Sequence, residues 1–483
     1  VTAKSSDAAS AVAGTAALGV LQGTGRALAL VFVAAATRVV APEQFGQYAI
    51  VAGLVTLGGF VADFGSTTVI TRAVSREPHS SESLLANTIV ASVGVGLLAY
   101  VAVVLYIVVG PYPQSLVTLV AIGALAIPAD AAFTSVCGAL DGHGLISRRA
   151  IASFVRVALM AGAGAIAIVV SGSIRPAIVL IALGPVGGLL VALWLARRHG
   201  VWSLRIRPNL RRSAELFRLA APFALLGGIG ALVARLDLLI LSAIRPPASV
   251  ARYDIALRAA ESAAALAAVV GGPALFILSR RLGRADIEGA RSAYREAVRF
   301  SYSAGIPIAV ALAALARPLT NVVLGPEYHD VAPLIVLLAP WLVLSVLGAA
   351  QGAVVLAHGK LARALLLSLP VLGVALTLDV LLIPVLGPAG AAMASVGAEL
   401  ASCVVFDRLN HRTLGIHTPK PDVTLVLACM VAGILMYAAT RIGPSWLGLL
   451  ALPILPALLW LTGVVSAPDV RSLRRLIAQG NRV

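Results

Sequence analysis

The sequence predicts an all-α, polytopic membrane protein with about 14 transmembrane helices, in two six-helix lobes plus a C-terminal helix pair. Three observations predict it. Hydrophobic residues make up 59% of the chain and charged ones 12%, with a mean hydropathy of +0.97, far outside soluble globular usage. Basic residues alternate between successive loops. Local motifs recur in the same order in the two halves.

Fourteen apolar segments are each close to the ~20 residues needed to span a bilayer. They run 11–37, 45–70, 84–109, 115–137, 147–170, 176–195, 214–241, 253–278, 297–316, 331–357, 361–383, 386–406, 423–440 and 446–466. The first is read as a retained helix, because few basic residues precede it. With a cytoplasmic N-terminus and alternating loops, 25 Lys and Arg fall on the cytoplasmic side and 6 on the other. That bias places both termini in the cytoplasm, and one missed or extra helix would spoil it.

The basic stretch from Arg197 to Ser213 interrupts the apolar pattern and splits the chain into similar halves. Pro42-x5-Tyr48-Ala-Ile50 matches Pro247-x5-Tyr253-Asp-Ile255, and His143-Gly144-x3-Arg148 matches His358-Gly359-x3-Arg363. Gly184-Pro185-x-Gly187 matches Gly387-Pro388-x-Gly390, each expected near the start of the sixth helix of its half. Each half begins on the cytoplasmic side, so the repeat is parallel. The expected division is 1–200 for the N-lobe, 201–213 for a basic linker, 214–410 for the C-lobe, and 411–483 for the last helix pair and basic tail.

Several function classes are excluded. Nothing resembles a P-loop, a paired-His zinc motif or a nucleophile elbow, so no catalytic or metal-binding residue is assigned. Cys137, Cys403 and Cys429 sit in apolar segments and read as small buried hydrophobes. No soluble stretch is long enough for an ATPase, so transport would draw on an ion gradient or on the substrate's own. The net charge of +16 reflects the positive-inside rule and anionic lipid headgroups, not nucleic acid.

The informative stretch is Ala214 to Arg281, two spanning helices around a turn at Ile244-Arg245-Pro246-Pro247. It carries Arg235, Asp237, Asp254, Arg258 and Glu261. A charge at a helix centre costs about 2.5–3.5 kcal/mol on insertion scales, so each needs a partner or a water-filled cavity. Asp254, Arg258 and Glu261 are spaced four and three apart and line one helical face. Arg235 and Asp237 lie on nearly opposite faces and cannot share one partner. The set is either an internal ion-pair lock or the polar wall of a substrate cavity. Asp130 and Arg156 flank the His143 turn symmetrically and read as a structural pair. Asp379 and Glu399 in the second half read as structural too.

The sequence resembles the polysaccharide-exporter (Wzx-like) branch of the superfamily that also holds the MATE drug exporters and MurJ lipid II flippases. Four stretches carry the resemblance: Pro42-Glu-Gln-Phe45-Gly46-Gln-Tyr48; Asp63-Phe64-Gly65 leading to Thr71-Arg72; Arg235-Leu-Asp237; and Leu386-Gly-Pro-Ala-Gly390-Ala-Ala-Met-Ala394-Ser-Val-Gly-Ala-Glu399. It covers nearly the whole chain and fixes the superfamily better than the substrate. The resemblance implies a V-shaped, two-lobed exporter in the bacterial inner membrane. It would move polyprenyl-diphosphate-linked oligosaccharide to the outer leaflet by alternating access.

It also implies a cavity lined by helices one, two, seven and eight. Arg26, after Gln22-Gly-Thr-Gly25, is then a substrate-binding candidate with Gln22, Arg258 and Arg235, because Arg can clamp phosphate oxygens bidentately. Asp237 and Glu261 either carry a coupling proton or sodium ion or balance the arginines. Asp254 belongs to the same charge-balancing set. Asp63 is either part of it or a cap near Arg72. Beyond that ion no cofactor is expected. Expected partners are the lipid-linked glycan and membrane lipids, with a glycan polymerase or glycosyltransferases as candidates. The alternatives are a cation-coupled MATE-like small-molecule exporter, which an aromatic content of 5% disfavours, a lipid II flippase, and a non-transporting scaffold.

Overall fold

The computed structural model describes residues 21, 23–63, 65–77, 81–202, 209, 228–284, 286–357 and 361–442. These residues are helical nearly throughout, as a chain without water partners for its backbone must be. Thirteen of the 14 predicted segments overlap a described helix, and the segment 446–466 lies outside the described residues. Ten helices among the described residues are long and apolar enough to cross a membrane. The protein is a multi-pass membrane protein. The chain divides into two compact units, Val1–Ala251 and Arg252–Val483.

The first unit begins with α1 (23–39) and α2 (Pro42–Asp63). Pro42 opens α2, where its missing N–H would have no helical partner and its fixed φ suits the first turn. Six residues on, Tyr48 is buried with its ring 4.8 Å from that of Phe32 on α1. The second predicted helix does not continue through residue 70 as one rod. It breaks after Asp63, and α3 (Ser66–Arg76) restarts from Gly65, whose φ of 67° a side chain would strain. Next come α4 (Ser81–Val109), α5 (Gln114–Ala124) and α6 (Ala126–Gly142).

Parallel helices α3 and α6 form a seam of small and hydroxyl residues. Thr71 donates to the Gly138 carbonyl at 3.0 Å and Ser75 to the Gly142 carbonyl at 3.3 Å. A Cβ on Gly142 would lie 3.0 Å from the Thr71 carbonyl oxygen, so backbone approach requires glycine there. In a bilayer, such close packing replaces the hydrophobic drive between helices.

The predicted fifth helix is α7 (Ile146–Val157), a π-helical turn at Ala158–Ala163, and α8 (Gly164–Ser171). The π turn carries Met160 against Gly184 of α9 (Arg175–Arg198). Pro185 lies inside α9, whereas Pro388 opens its own helix behind Gly387 at φ 58°. The third repeat match therefore joins positions that play different structural roles. The unit also includes α10 (228–244), where Leu238 packs on Gly53 of α2 and the Ser242 hydroxyl lies 3.0 Å from that of Tyr112.

The second unit takes most of α11 (Pro247–Gly283), then α12 (Ile287–Ala314), the short α13 (Ala316–Leu319), α14 (Val331–Ala357), α15 (Leu361–Leu386), α16 (Pro388–Leu414) and α17 (Val423–Ile442). The α16–α17 connector is strapped down by polar contacts. Thr418 bonds the Tyr294 hydroxyl and the Gln351 amide, each at 2.8 Å, and its N–H donates to Asp407 at 2.6 Å. Asn410 completes the set by donating to the Gln351 carbonyl at 3.1 Å. The helix that carries Asp407 and Asn410 runs two turns past its predicted apolar end, as far as His411 and Leu414.

Candidate functional site

Each unit positions part of the predicted constellation. In the first, Arg26 stands on α1 with an exposed side chain. The neighbouring Gly25 is buried, and a Cβ there would touch Val157 at 3.4 Å, so the α1 face behind Arg26 seats on the α7 end. Gln22 lies outside the described residues. Asp63 ends α2, and its carboxylate accepts hydrogen bonds from the hydroxyls of Thr67 and, at 3.4 Å, Ser66. It thus ties the end of α2 to the first-turn hydroxyls of α3 across the break.

On α10, packing fixes the register. Leu238 and Leu241 are fully buried. Asp237 is 5% exposed, with the Leu238 N–H 2.6 Å from its own carboxylate, and Arg235 is half-buried. Two residues apart on a helix, Asp237 and Arg235 leave by nearly opposite sides.

Helix α11 opens with Pro247, in the first unit, just as α2 opens with Pro42, and in the second unit Tyr253 is fully buried in the position corresponding to Tyr48. Its hydroxyl lies 2.8 Å from that of Ser395 on α16. The next residue, Asp254, is 1% exposed, and Arg258 Nε donates to it at 2.5 Å. The spacing-based expectation that these two share a face is what the helix delivers. Glu261, half-buried, follows on that face. Arg258 also has a further interaction besides its bond to Asp254, and 30% of its side chain remains exposed. A guanidinium can hold two oxygens of a carboxylate or phosphate. Among the described residues, no three His, Cys, Asp or Glu side chains come together as metal ligands.

The expected pair Asp130–Arg156 forms between α6 and α7, and the guanidinium also lies 5.2 Å from the Phe133 ring centre. The structural reading of Glu399 fails in one respect. Among the described residues, Glu399 has no ion-pair or hydrogen-bond partner.

The polysaccharide biosynthesis protein family matches residues 11–276, more than half the chain. The chain belongs to that family. No curated protein matches it at a significant level. Among solved structures, the chain resembles lipid II flippase MurJ in an inward closed conformation, with a TM-score of 0.77 and 13% identity over 94% of this chain and 99% of that one. An inward-facing multidrug resistance MATE transporter of the MOP superfamily aligns at TM-score 0.63 and 16% identity, over 81% and 95% of the two chains. The Vibrio cholerae MATE transporter VcmN, as a mutant, gives 0.59 and 16% over 85% and 99%. These likenesses carry the fold, which the chain shares with MurJ and the MATE transporters. The resemblance stated from the sequence names the same group.

Two features were missed in the sequence. The Tyr253–Ser395 bond and the seat of Gly46 against the Pro247 backbone both join distant segments. The repeated Pro-x5-Tyr spacing was the signal that could have pointed to the buried tyrosine.

Proposed function

We propose that this polysaccharide biosynthesis protein is a flippase. It moves polyprenyl-diphosphate-linked oligosaccharide from the cytoplasmic to the outer leaflet of the bacterial inner membrane by alternating access, with both termini cytoplasmic. The observation that carries this reading is Arg258, held through Nε by buried Asp254 on a membrane helix with its guanidinium partly exposed. An arginine fixed in this way is preorganised for phosphate oxygens and would otherwise be costly in the bilayer. Arg26 and Arg235 supply further positive charge for a diphosphate that carries about two negative charges. Asp237 and Glu261 balance or couple. Membership of the polysaccharide biosynthesis family supports a glycan cargo.

The test is polymer export in a null strain complemented with Arg26→Ala or Arg258→Ala protein at normal membrane levels. Export is expected to be lost while insertion persists. Restored export by both variants would remove these arginines from the substrate site. A change in drug susceptibility without a change in polymer would favour a MATE-like exporter instead.

A further inference from the structure

Glu399 is the twelfth residue of α16, about 16 Å from the helix start at 1.5 Å per residue, and so near mid-membrane depth. It sits opposite Gly348 of α14. A Cβ on that glycine would lie 2.9 Å from Glu399 Oε1, so the absence of a side chain at 348 makes the room the carboxyl occupies. One turn along, Cys403 faces the same glycine and donates to the Leu344 carbonyl at 3.4 Å. The helix opposite, α14, contains no Asp, Glu, Lys, Arg, His, Tyr or Cys. The titratable residues of α15 are Arg363 and Asp379, and α12 brings Tyr302 against the cluster that contains Cys403. Neither Asp379 nor Tyr302 forms an ion pair or hydrogen bond with Glu399. An uncompensated carboxylate at a helix centre costs about 2.5–3.5 kcal/mol. A bound proton removes that cost without any protein cation.

We propose that Glu399, in the niche left by Gly348, is a proton-binding site of the second unit. Its carboxylate oxygen takes a proton from water and returns it to water during the transport cycle. The link to export rests on the function proposed above, whereas the proton site does not.

The experiment is an infrared pH titration of purified protein in lipid, with isotope-labelled glutamate. The wild-type protein is expected to show a labelled carboxylic-acid carbonyl band that disappears as pH rises. That band is expected to be absent from Glu399→Gln protein and from labelled Glu399→Asp protein, whose carboxyl carries no label. Gly348→Ala is expected to shift its midpoint. The shorter Asp variant keeps the test open should the Gln variant not fold, with monodisperse elution as the check. A band that does not titrate, or that persists in either Glu399 variant, overturns the proposal. Export by the Glu399→Gln protein at wild-type rate, with the band gone, overturns its part in the cycle. Should Arg26→Ala and Arg258→Ala both export normally while the band behaves as expected, the flippase reading falls and the proton site stands.

Discussion

Asp130 and Glu399 are both acids embedded in apolar helices, one in each unit, and the chain treats them differently. Asp130 meets Arg156 from a neighbouring helix, with the Phe133 ring against the guanidinium and Gly188 against the Arg156 Cβ. Glu399 meets a glycine. Asp254 is intermediate, neutralised by Arg258 on its own helix. A pair drawn from two helices locks them together, because separating the helices would strand both charges. A pair on one helix adds little to the packing of one helix on another. An acid without a cation stays neutral only by binding a proton. Asp130 is thus committed to an interhelical ion pair, whereas Glu399 has no ion-pair partner among the described residues.

The largest effect should come from breaking the two-helix pair. Arg156→Ala leaves Asp130 stranded and is expected to cost about 3 kcal/mol, read as a lower midpoint in thermal unfolding in detergent. The double variant Asp130→Asn, Arg156→Gln should recover most of the loss, since no charge remains uncompensated. Failure to recover would mean that the pair is not a lock, and the contrast with Glu399 would lose its first half.

Next come the glycine seats. At Gly46 a Cβ would collide with the Pro247 backbone, which cannot yield as a flexible side chain can. Gly46→Ala should cost about 1–3 kcal/mol by overpacking. At Gly94 nothing lies within 4 Å of a Cβ, so Gly94→Ala should change stability by less than about 0.5 kcal/mol. Equal midpoints for the two variants would deny that close approach matters at Gly46.

A smaller effect tests the strap over the second unit. Thr418→Val removes the hydroxyl shared by Tyr294 and Gln351 and should cost about 1 kcal/mol. Faster proteolysis in the 415–422 connector, with the rest of the chain still protected, would be the accompanying sign.

The smallest effect concerns His143, in the turn between α6 and α7. Burial holds its pKa below the ordinary 6.5, and its Nε2 is buried without a hydrogen-bond partner. Protonation thus penalises the folded state. The stabilising contribution is fully present above pH 6.5 and falls away as pH drops below that value toward the lower folded pKa. His143→Asn protein should lose less stability than wild type between neutral and mildly acidic pH, measured by unfolding at a series of pH values.

Much of this could be read along the chain. Apolar length located 13 described helices, because the bilayer sets that length and leaves the backbone no other partner. Spacing paired Asp254 with Arg258, since residues four apart on a helix are neighbours wherever the helix goes. The symmetric placement of Asp130 and Arg156 about the His143 turn foretold their bond, since two helices joined by a short turn bring equidistant positions together. The break at Gly65 was not read, because an apolar stretch hides a local change of backbone direction.

The sequence by itself determined that this protein is a bundle of membrane helices, where most of them begin, and which neighbouring charges share a face. Local geometry settles such matters. Tertiary structure alone decided that Thr71 and Ser75 would zip onto α6, that Thr418 would tie down a connector, and that Glu399 would face Gly348. Those outcomes depend on the register in which helices distant in sequence pack, and no local period in the chain encodes that register.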